Sequence, residues 1–491
     1  MSKYILAIDQ STQGTKALLF DDKGILLCRV DKPHRQIINE RGWVEHDLRE
    51  IYNNTLASVK NLVEKSGINK SEIFALGISN QRETSACWDK RTGEPLYNAI
   101  VWQCSRGAEI CENLARQGHS QIIHDKTGIN LSPYFPAAKI AWIFQNVDGV
   151  KELAQKNNIA VGTIDSWLIY KLTGGKRHQT DYSNASRTQL FNINSLKWDD
   201  DLLNLFGINK SCMAEITDSD GDFGETDFEG FLDKKIPICG VMGDSHGALF
   251  GQGCLNSGMI KATYGTGSSV MMNIGEKISM SDKIVTSLAW KINGKINYVL
   301  EGNINYSGAV ITWLKDDLKL INNPGETEEF ARKANQGDKT YLVPAFSGLG
   351  APYWDTHARA CIVGMTRTTG KNEIIRAALD CIAYQIADII NEMRINAGEN
   401  IFINELRVDG GAAKNNYLMQ FQSDLLDIPV KVPDSEELSG MGAAYCAGLS
   451  SKLYCDKIFS NIKRKSYYPS MSESDRINLY NGWKNAVKKS R

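Results

Sequence analysis

An acid, hydroxyls and an amine crowd together near the start of the chain, in the stretch ILAIDQSTQGTKALLF. Apolar runs flank them, so the stretch reads as two strands joined by a polar turn of Gln10, Ser11, Thr12, Gln13, Gly14 and Thr15. Backbone N–H groups exposed in succession by such a turn bind anions. Thr12 and Thr15 add hydroxyl donors, Gly14 allows close approach of the backbone, and Lys16 supplies charge for phosphate oxygens. Asp9, at the strand end, suits Mg2+, which prefers oxygen ligands and keeps several waters. The alternative is a hairpin whose Asp merely caps a polar turn.

Four further stretches carry candidate chemistry. YGTGSS offers Gly265, Thr266, Gly267 and Ser268 as a second phosphate grip. It lacks the third glycine of a dinucleotide fingerprint, and GMTRTTGKN fails as a Walker A loop because Asn372 stands where Ser or Thr should hold magnesium. In ELRVDGGAAKNNYLMQF, Gly410 and Gly411 leave room for a flat ring or a phosphate, and Asn415 could bond to either. In IPICGVMGDSHGALFG an apolar strand ends at Gly243, placing Asp244 at the mouth of a helix. Ligands of open α/β sheets bind at the carboxyl ends of strands, so Asp244 could take a proton from an attacking hydroxyl. It could equally cap the helix. His246 reads as a packed histidine. Arg82 and Glu83 follow another strand end, where they could fork onto neighbouring hydroxyls or simply face solvent.

The elements that must hold these residues alternate between short strands and amphipathic helices, which predicts an α/β fold. Asp47 and Glu50 predict a capping box before LREIYNNTLASVKNLVEK, and NEIIRAALDCIAYQIADIINEMRINAG predicts a long helix with Asn372 as cap and Gly398 as stop. ELSGMGAAYCAG predicts a helix of small, closely packed residues. ILAIDQSTQGTKALLF has a counterpart in MIKATYGTGSSVMMNIG about half the chain further on. This echo predicts a duplicated architecture, residues 1–250 and 251–491.

Composition excludes several classes. The 491 residues are 42% hydrophobic and 23% charged with a net charge of -1, giving no general attraction to nucleic acid or anionic membrane. No apolar run reaches the ~18 residues of a membrane helix. MSKYILAID enters a strand pattern directly, which predicts no signal peptide. Eleven scattered cysteines without a CxxC pair predict reduced thiols in a cytoplasmic protein. The basic stretch NIKRKSYYPS reads as solvated surface.

The chain resembles the FGGY carbohydrate kinases nearly end to end. The resemblance rests on GWVEHD, SNQRET, YNAIVWQC, TDYSNASRTQLFN, YGTGS, VPAFSGLGAPYWD, LRVDGGAAKNN and LMQFQSD. YFPAAKIAWIFQN and GMTRTTGKNEIIRAALD fit the two family signatures. It implies two actin-like (ribonuclease H-like) domains around a cleft, with ATP and Mg2+ as donor system. The γ-phosphoryl group would pass to a primary hydroxyl of glycerol or a related small polyol or sugar. A ketopentose kinase of the same family, or a non-catalytic actin-like nucleotide binder, is the alternative. By the family pattern Asp244 is the base and Asp9 holds Mg2+ through water. Thr12, Gln13, Gly14, Lys16 and Thr266 meet phosphates, while Gly308, Thr312, Gly410 and Asn415 lie at the nucleotide. Arg82, Glu83, Trp102, Tyr134 and Ser245 line the acceptor site. The resemblance also allows a homodimer or homotetramer. The chain departs from glycerol-phosphorylating members at Ser245, where they carry Gln, and at Ser269, where they place a Phe wall. It departs again at Ser11, Gly14, Lys16 and Thr312. FLDKK is shorter than the loop that binds a sugar bisphosphate inhibitor in some bacterial members.

Overall fold

The computed structural model describes residues 3–398 and 401–491. The first half is built on a sheet of β1 (Tyr4–Gln10), β2 (Gly14–Phe20), β3 (Leu26–Pro33), β4 (Ile73–Asn80), β5 (Glu225–Thr226) and β6 (Ile236–Gly243), in the order β5-β6-β4-β1-β2-β3. The first three strands form an antiparallel meander, while β4 and β6 run parallel to β1. β1 is central and buried from Ile5 onward, which is why it reads as an apolar run rather than an alternating one.

The second half repeats the plan with β7 (Ile260–Tyr264), β8 (Ser268–Gly275), β9 (Val285–Ile292), β10 (Lys295–Ile304), β11 (Leu406–Gly410), β12 (Val430–Pro433) and β13 (Arg464–Tyr467). Their order is β9-β10-β8-β7-β11-β12-β13. Antiparallel β10-β8-β7 is followed by parallel β7-β11-β12. The echo in the sequence is thus a duplicated α/β domain of the actin-like kind. Each copy has a hairpin at its start and a first strand at its centre.

The helices used below are α1 (Leu48–Ser66), α2 (Asp244–Gly251), α3 (Gly308–Asp316), α4 (Lys371–Ala397), α5 (Asn416–Leu426) and α6 (Leu438–Ser450). α2 follows β6 as α6 follows β12, and these two equivalent helices cross in contact. A Cβ on Gly442 of α6 would sit 1.9 Å from the carbonyl oxygen of Gly247 in α2, so only glycine lets the backbones meet. α6 also lies on the first sheet, where a Cβ on Gly77 of β4 would meet the Ala443 oxygen at 2.3 Å. One apolar core therefore mixes Ile5, Ala7 and Phe20 with Met271, Val299, Leu438 and Ala444.

Local signals need two corrections. Asp47 caps α1 by accepting from the Arg49 N–H at 2.8 Å, but Glu50 accepts from Arg35 N–H at 3.2 Å instead of closing a box. α4 starts one residue before Asn372, with Gly370 as cap, because Glu373 reaches back to the Gly370 N–H at 2.9 Å. The basic stretch contains edge strand β13, whose Arg464 donates to the Gln252 carbonyl at 2.7 Å. It is solvated surface as read, with Lys463 and Lys465 exposed, but ordered as an edge strand.

Candidate active site

The acceptor candidates sit just past the carboxyl ends of β4 and β6. Glu83 holds its backbone at φ 61°, a left-handed conformation that non-glycine residues adopt at a cost and that concentrates at functional sites. Arg82 donates to both oxygens of Glu301, at 2.8 and 3.0 Å, and its Nε lies 3.2 Å from Asp244 Oδ1. Arg187 donates from Nε to Glu83 at 2.6 Å and stands 2.9 Å from Glu301 through Nη1. The side chains of Arg82, Glu83, Arg187 and Glu301 are all at most 5% exposed. Burial opposes ionisation of Glu301, yet Arg187 and Arg82 hold its carboxyl well below the usual carboxylate range. Two guanidinium groups and two carboxylates alternate, so each buried charge is compensated. Glu301 comes from β10, so this cluster also ties the two halves together.

Asp244 is the first residue of α2, with Gly243 as the cap residue. Its Oδ1 accepts from the Ser245 N–H at 2.6 Å, and its side chain stays 36% exposed to the cleft. The Gly243 N–H is fixed by Ser183 Oγ at 3.0 Å, within the TDYSNASRTQLFN segment. His246 is fully buried, with neither ring nitrogen partnered among the described residues; burial and then Arg82 hold it well below its usual range. It is packed and neutral, as its sequence context predicts.

Trp102 joins Tyr134 to the first turn. Its indole N–H donates to Thr12 Oγ1 at 2.9 Å, and its ring centroid lies 5.5 Å from that of Tyr134. Lys139, fully buried below, donates to the Tyr134 carbonyl, and burial lowers its ammonium to about 7.

On the phosphate side, Asp9 and Lys16 face each other across the β1–β2 hairpin, 3.8 Å apart. Asp9 Oδ1 also accepts from Ser79 Oγ at 3.0 Å, and burial pushes its carboxyl up to about 6 despite Lys16. Lys16 bonds at 2.8 Å to Glu437, which precedes α6 and also takes Arg29. In the second half the Thr266 carbonyl accepts from Ser307 and Ala309 N–H, each at 3.0 Å, and Gly265 accepts from Gly308 at 2.9 Å. The start of α3 is thereby pinned to the turn, and a Cβ on Gly308 would lie 2.7 Å from the Gly265 oxygen.

A cavity of about 910 Å³ brings together Thr12, Arg82, Glu83, Trp102, Tyr134, Asp244, Ser245 and Thr266. Gly265, Gly267 and Ser268 of the second turn line it too, whereas Asp9, Gln13, Gly14, Lys16, Gly308, Thr312, Gly410 and Asn415 lie outside its lining. Asp9 and Lys16 stand behind Thr12, with Gln13 and Gly14 completing the turn. Thr312 bonds back to the Gly308 carbonyl at 3.3 Å. Gly410 adopts φ 93° against the Tyr264 backbone. Asn415 caps α5 through Leu418 N–H at 3.0 Å and donates to Thr327 at 3.1 Å, so both ends of its amide are engaged. Sequence reasoning assigns no role to Arg187, Glu301, Glu437 or Ser79. The available signal for Glu301 is an acid directly after the apolar run Tyr298–Leu300 of the strand INYVLEGNI. For Arg187 and Glu437 only tertiary pairing reveals the role. No cluster of three or more His, Cys, Asp or Glu suited to a metal occurs among the described residues. No helix among them is long and apolar enough to cross a membrane.

Comparison with known proteins gives a consistent picture. The family model for the N-terminal domain of FGGY carbohydrate kinases matches residues 4–251, and that for the C-terminal domain matches residues 260–451. Glycerol kinase 1 of Thermotoga maritima is 51% identical over 491 residues, 99% of each chain. The glycerol kinase of Bacillus subtilis is 46% identical over 492 residues, again 99% of each. The crystal structure of Plasmodium falciparum glycerol kinase with ADP aligns with a TM-score of 0.94 at 35% identity, covering 100% of this chain and 98% of that one. A xylulose kinase from Lactobacillus acidophilus, at 23% identity and a TM-score of 0.87, shares the fold. With both family models placed in order along a chain of matching architecture, this protein belongs to the FGGY family of carbohydrate kinases, which are ATP-dependent phosphotransferases.

Proposed function

We propose that the protein transfers the γ-phosphoryl group of ATP to a primary hydroxyl of a small polyol, with glycerol the acceptor suggested by the names of its relatives. The observation that carries this reading is the shared cavity. Asp244, Arg82 and Glu83 face it from one half, and the Thr266 turn faces it from the other. Arg82 and Glu83, locked by Arg187 and Glu301, grip the acceptor's hydroxyls, while Trp102 and Tyr134 pack its carbon chain. Asp244 accepts the proton as the acceptor oxygen forms its bond to phosphorus and the bond from phosphorus to the ADP oxygen breaks. Residues 1–250 supply the acceptor and phosphate groups and 251–491 the nucleotide side, through Gly308, Thr312, Gly410 and Asn415.

The residues present fit Mg2+. Asp9 offers a buried carboxylate with one oxygen held by Ser79, the kind of single protein ligand that Mg2+ takes together with waters and phosphates. Bound there, the ion would offset charge on the phosphoryl oxygens. Thr12, Lys16 and Thr266 orient those oxygens, and closure of the halves excludes water. All eleven cysteines are unpaired, which supports a cytoplasmic setting.

Asp244→Asn tests the reading. Turnover should fall about 10²–10⁴-fold, because an amide cannot accept the proton, while an unreactive ATP analogue still binds in calorimetry. Retention of more than about a third of wild-type kcat would reduce Asp244 to a structural residue.

A further inference from the structure

Asp244 and the pair Arg82–Glu83 leave the first sheet from neighbouring strands. Asn80 and Gly243 are the last partners in the parallel ladder between β4 and β6. Beyond them the ladder no longer fixes the spacing, yet Arg82 Nε stands 3.2 Å from Asp244 Oδ1. The strand ends are tight here, since a Cβ on Gly243 would meet Arg82 Cγ at 2.6 Å. Phosphoryl transfer is mostly positioning, and a displacement of about 1 Å costs on the order of 10²-fold in rate. Whatever holds these two ends in place therefore bears on turnover.

A buried segment clips both ends. It consists of the short strand Gln179–Asp181 and the helical turn Tyr182–Ala185. Ser183 Oγ accepts from the Gly243 N–H at 3.0 Å, and Asn184 exchanges amide hydrogen bonds with Asn80 at 2.9 and 3.1 Å. One clip residue thus bonds each member of the final ladder pair. Asp181 organises the clip. Its carboxyl accepts from the Ser183 N–H at 3.0 Å, and from the Ser183 hydroxyl, the Asn184 N–H and the Asn184 amide at 2.9 Å each. The Ser219 hydroxyl adds a further bond at 2.8 Å. Because the single Ser183 proton goes to Asp181, the oxygen keeps its lone pairs for Gly243. The clip is anchored in turn on β9 of the second half: Ser219 N–H donates to the Lys291 carbonyl at 2.7 Å, and Ser186 Oγ accepts from the Leu288 N–H at 3.1 Å. Asn80, Asp181, Ser183 and Asn184 are all fully buried, and none of them lines the cavity.

We propose that Asp181 and Ser183 are positioning residues for the base. They fix the Gly243 peptide and, through it, the aim of the Asp244 carboxylate at the acceptor hydroxyl. Neither touches the acceptor, the nucleotide or the transferred group. The inference rests on the reading of Asp244 as the base given above.

The test is a double-mutant cycle on the full-length protein, assayed with glycerol and MgATP. Ser183→Ala should lower kcat about 10–100-fold, the scale of a small misplacement, and move KM for glycerol less than about threefold. Ser183→Thr keeps the hydroxyl and should return kcat to within about threefold of wild type. Asp181→Asn, whose amide nitrogen accepts nothing, should lower kcat in the same range as Ser183→Ala. Calorimetry with an unreactive ATP analogue counts the binding sites per chain, so a fall in kcat at full stoichiometry is not a loss of folded protein. In the Asp244→Asn background, either substitution should cost less than about threefold more, because the aim of an absent base no longer matters. Losses that multiply in the cycle overturn the inference, as does wild-type kcat in a folded Ser183→Ala or Asp181→Asn. If Asp244→Asn alone keeps most of the wild-type turnover, the base reading fails and takes this inference with it.

Discussion

The hairpins that open the two halves share a register and differ in charge. In each, the last pair but one before the turn faces the catalytic cleft or its rear wall: Asp9 with Lys16 in the first, Thr263 with Ser269 in the second. Duplication supplied one frame twice, and side chains at matched positions were then given to different work. The first pair is ionic, 3.8 Å apart, whereas the second is neutral and its Thr263 hydroxyl accepts from Lys261 at 3.0 Å. The backbone positions a site, but the residue type at the position decides its chemistry.

The contrast is sharpest where the halves meet. Glu301→Gln leaves two buried guanidinium groups short of a counter-charge, and breaking a buried pair in this way costs about 3–5 kcal/mol. Urea unfolding should show that loss; a change below about 1 kcal/mol would mean that the cluster tolerates a gap and does not join the halves.

Asp9 should give the hairpins different responses to pH. Its folded carboxyl titrates at about 6 against an ordinary 3.8, so the folded state holds a proton that the unfolded chain has released. Stability contributed by that proton is present near pH 4 and is lost as pH rises to about 6. In nucleotide-free protein with metal chelated, Asp9→Asn should therefore gain on wild type across this window, by up to about 3 kcal/mol. A pH-independent offset between the two would refute the titration. Thr263→Val, at the matched position, should show no such slope.

Lys16→Met should weaken binding of an ATP analogue by about 1.5–3 kcal/mol, the value of hydrogen bonds to a charged group. Unchanged calorimetric affinity together with unchanged kcat would leave Lys16 a structural partner of Glu437 alone. The smallest effect belongs to the neutral turn. Thr266→Val should cost about 0.5–1.5 kcal/mol in the same titration, and a loss as large as that of Lys16 would erase the distinction between the two hairpins.

Much of this plan is legible in the sequence because it is local. Apolar runs broken by STQG and GTG announce both hairpins, and IPICGVMGD places an acid at a strand end without any tertiary knowledge. Asp244, Arg82 and Glu83 gather as read, since all follow parallel strands of one sheet. The illegible part is pairing over long separations. Arg187 meets Glu83 from 104 positions away and Glu437 meets Lys16 from 421, and no periodicity encodes either partnership. Glu50 and Asn372 show the same limit at short range. Each has the residue type for its expected cap, but Arg35 and Glu373 supply competing hydrogen bonds.

The placement of α6 bears on the order in which the molecule can be made. Synthesis proceeds from the N-terminus, so β1, β2, β4 and β6 leave the ribosome long before residues 438–450 exist. Until then the face carrying Ile5, Ala7, Phe20 and Ala75 lacks its helical cover. The glycine at position 77 leaves a groove there that only a late-arriving backbone fills. The first half is thus topologically complete early and thermodynamically complete late. The nascent enzyme must pass through an interval of exposed apolar surface, in which a waiting chaperone, or a second nascent chain, competes for the place that α6 finally takes.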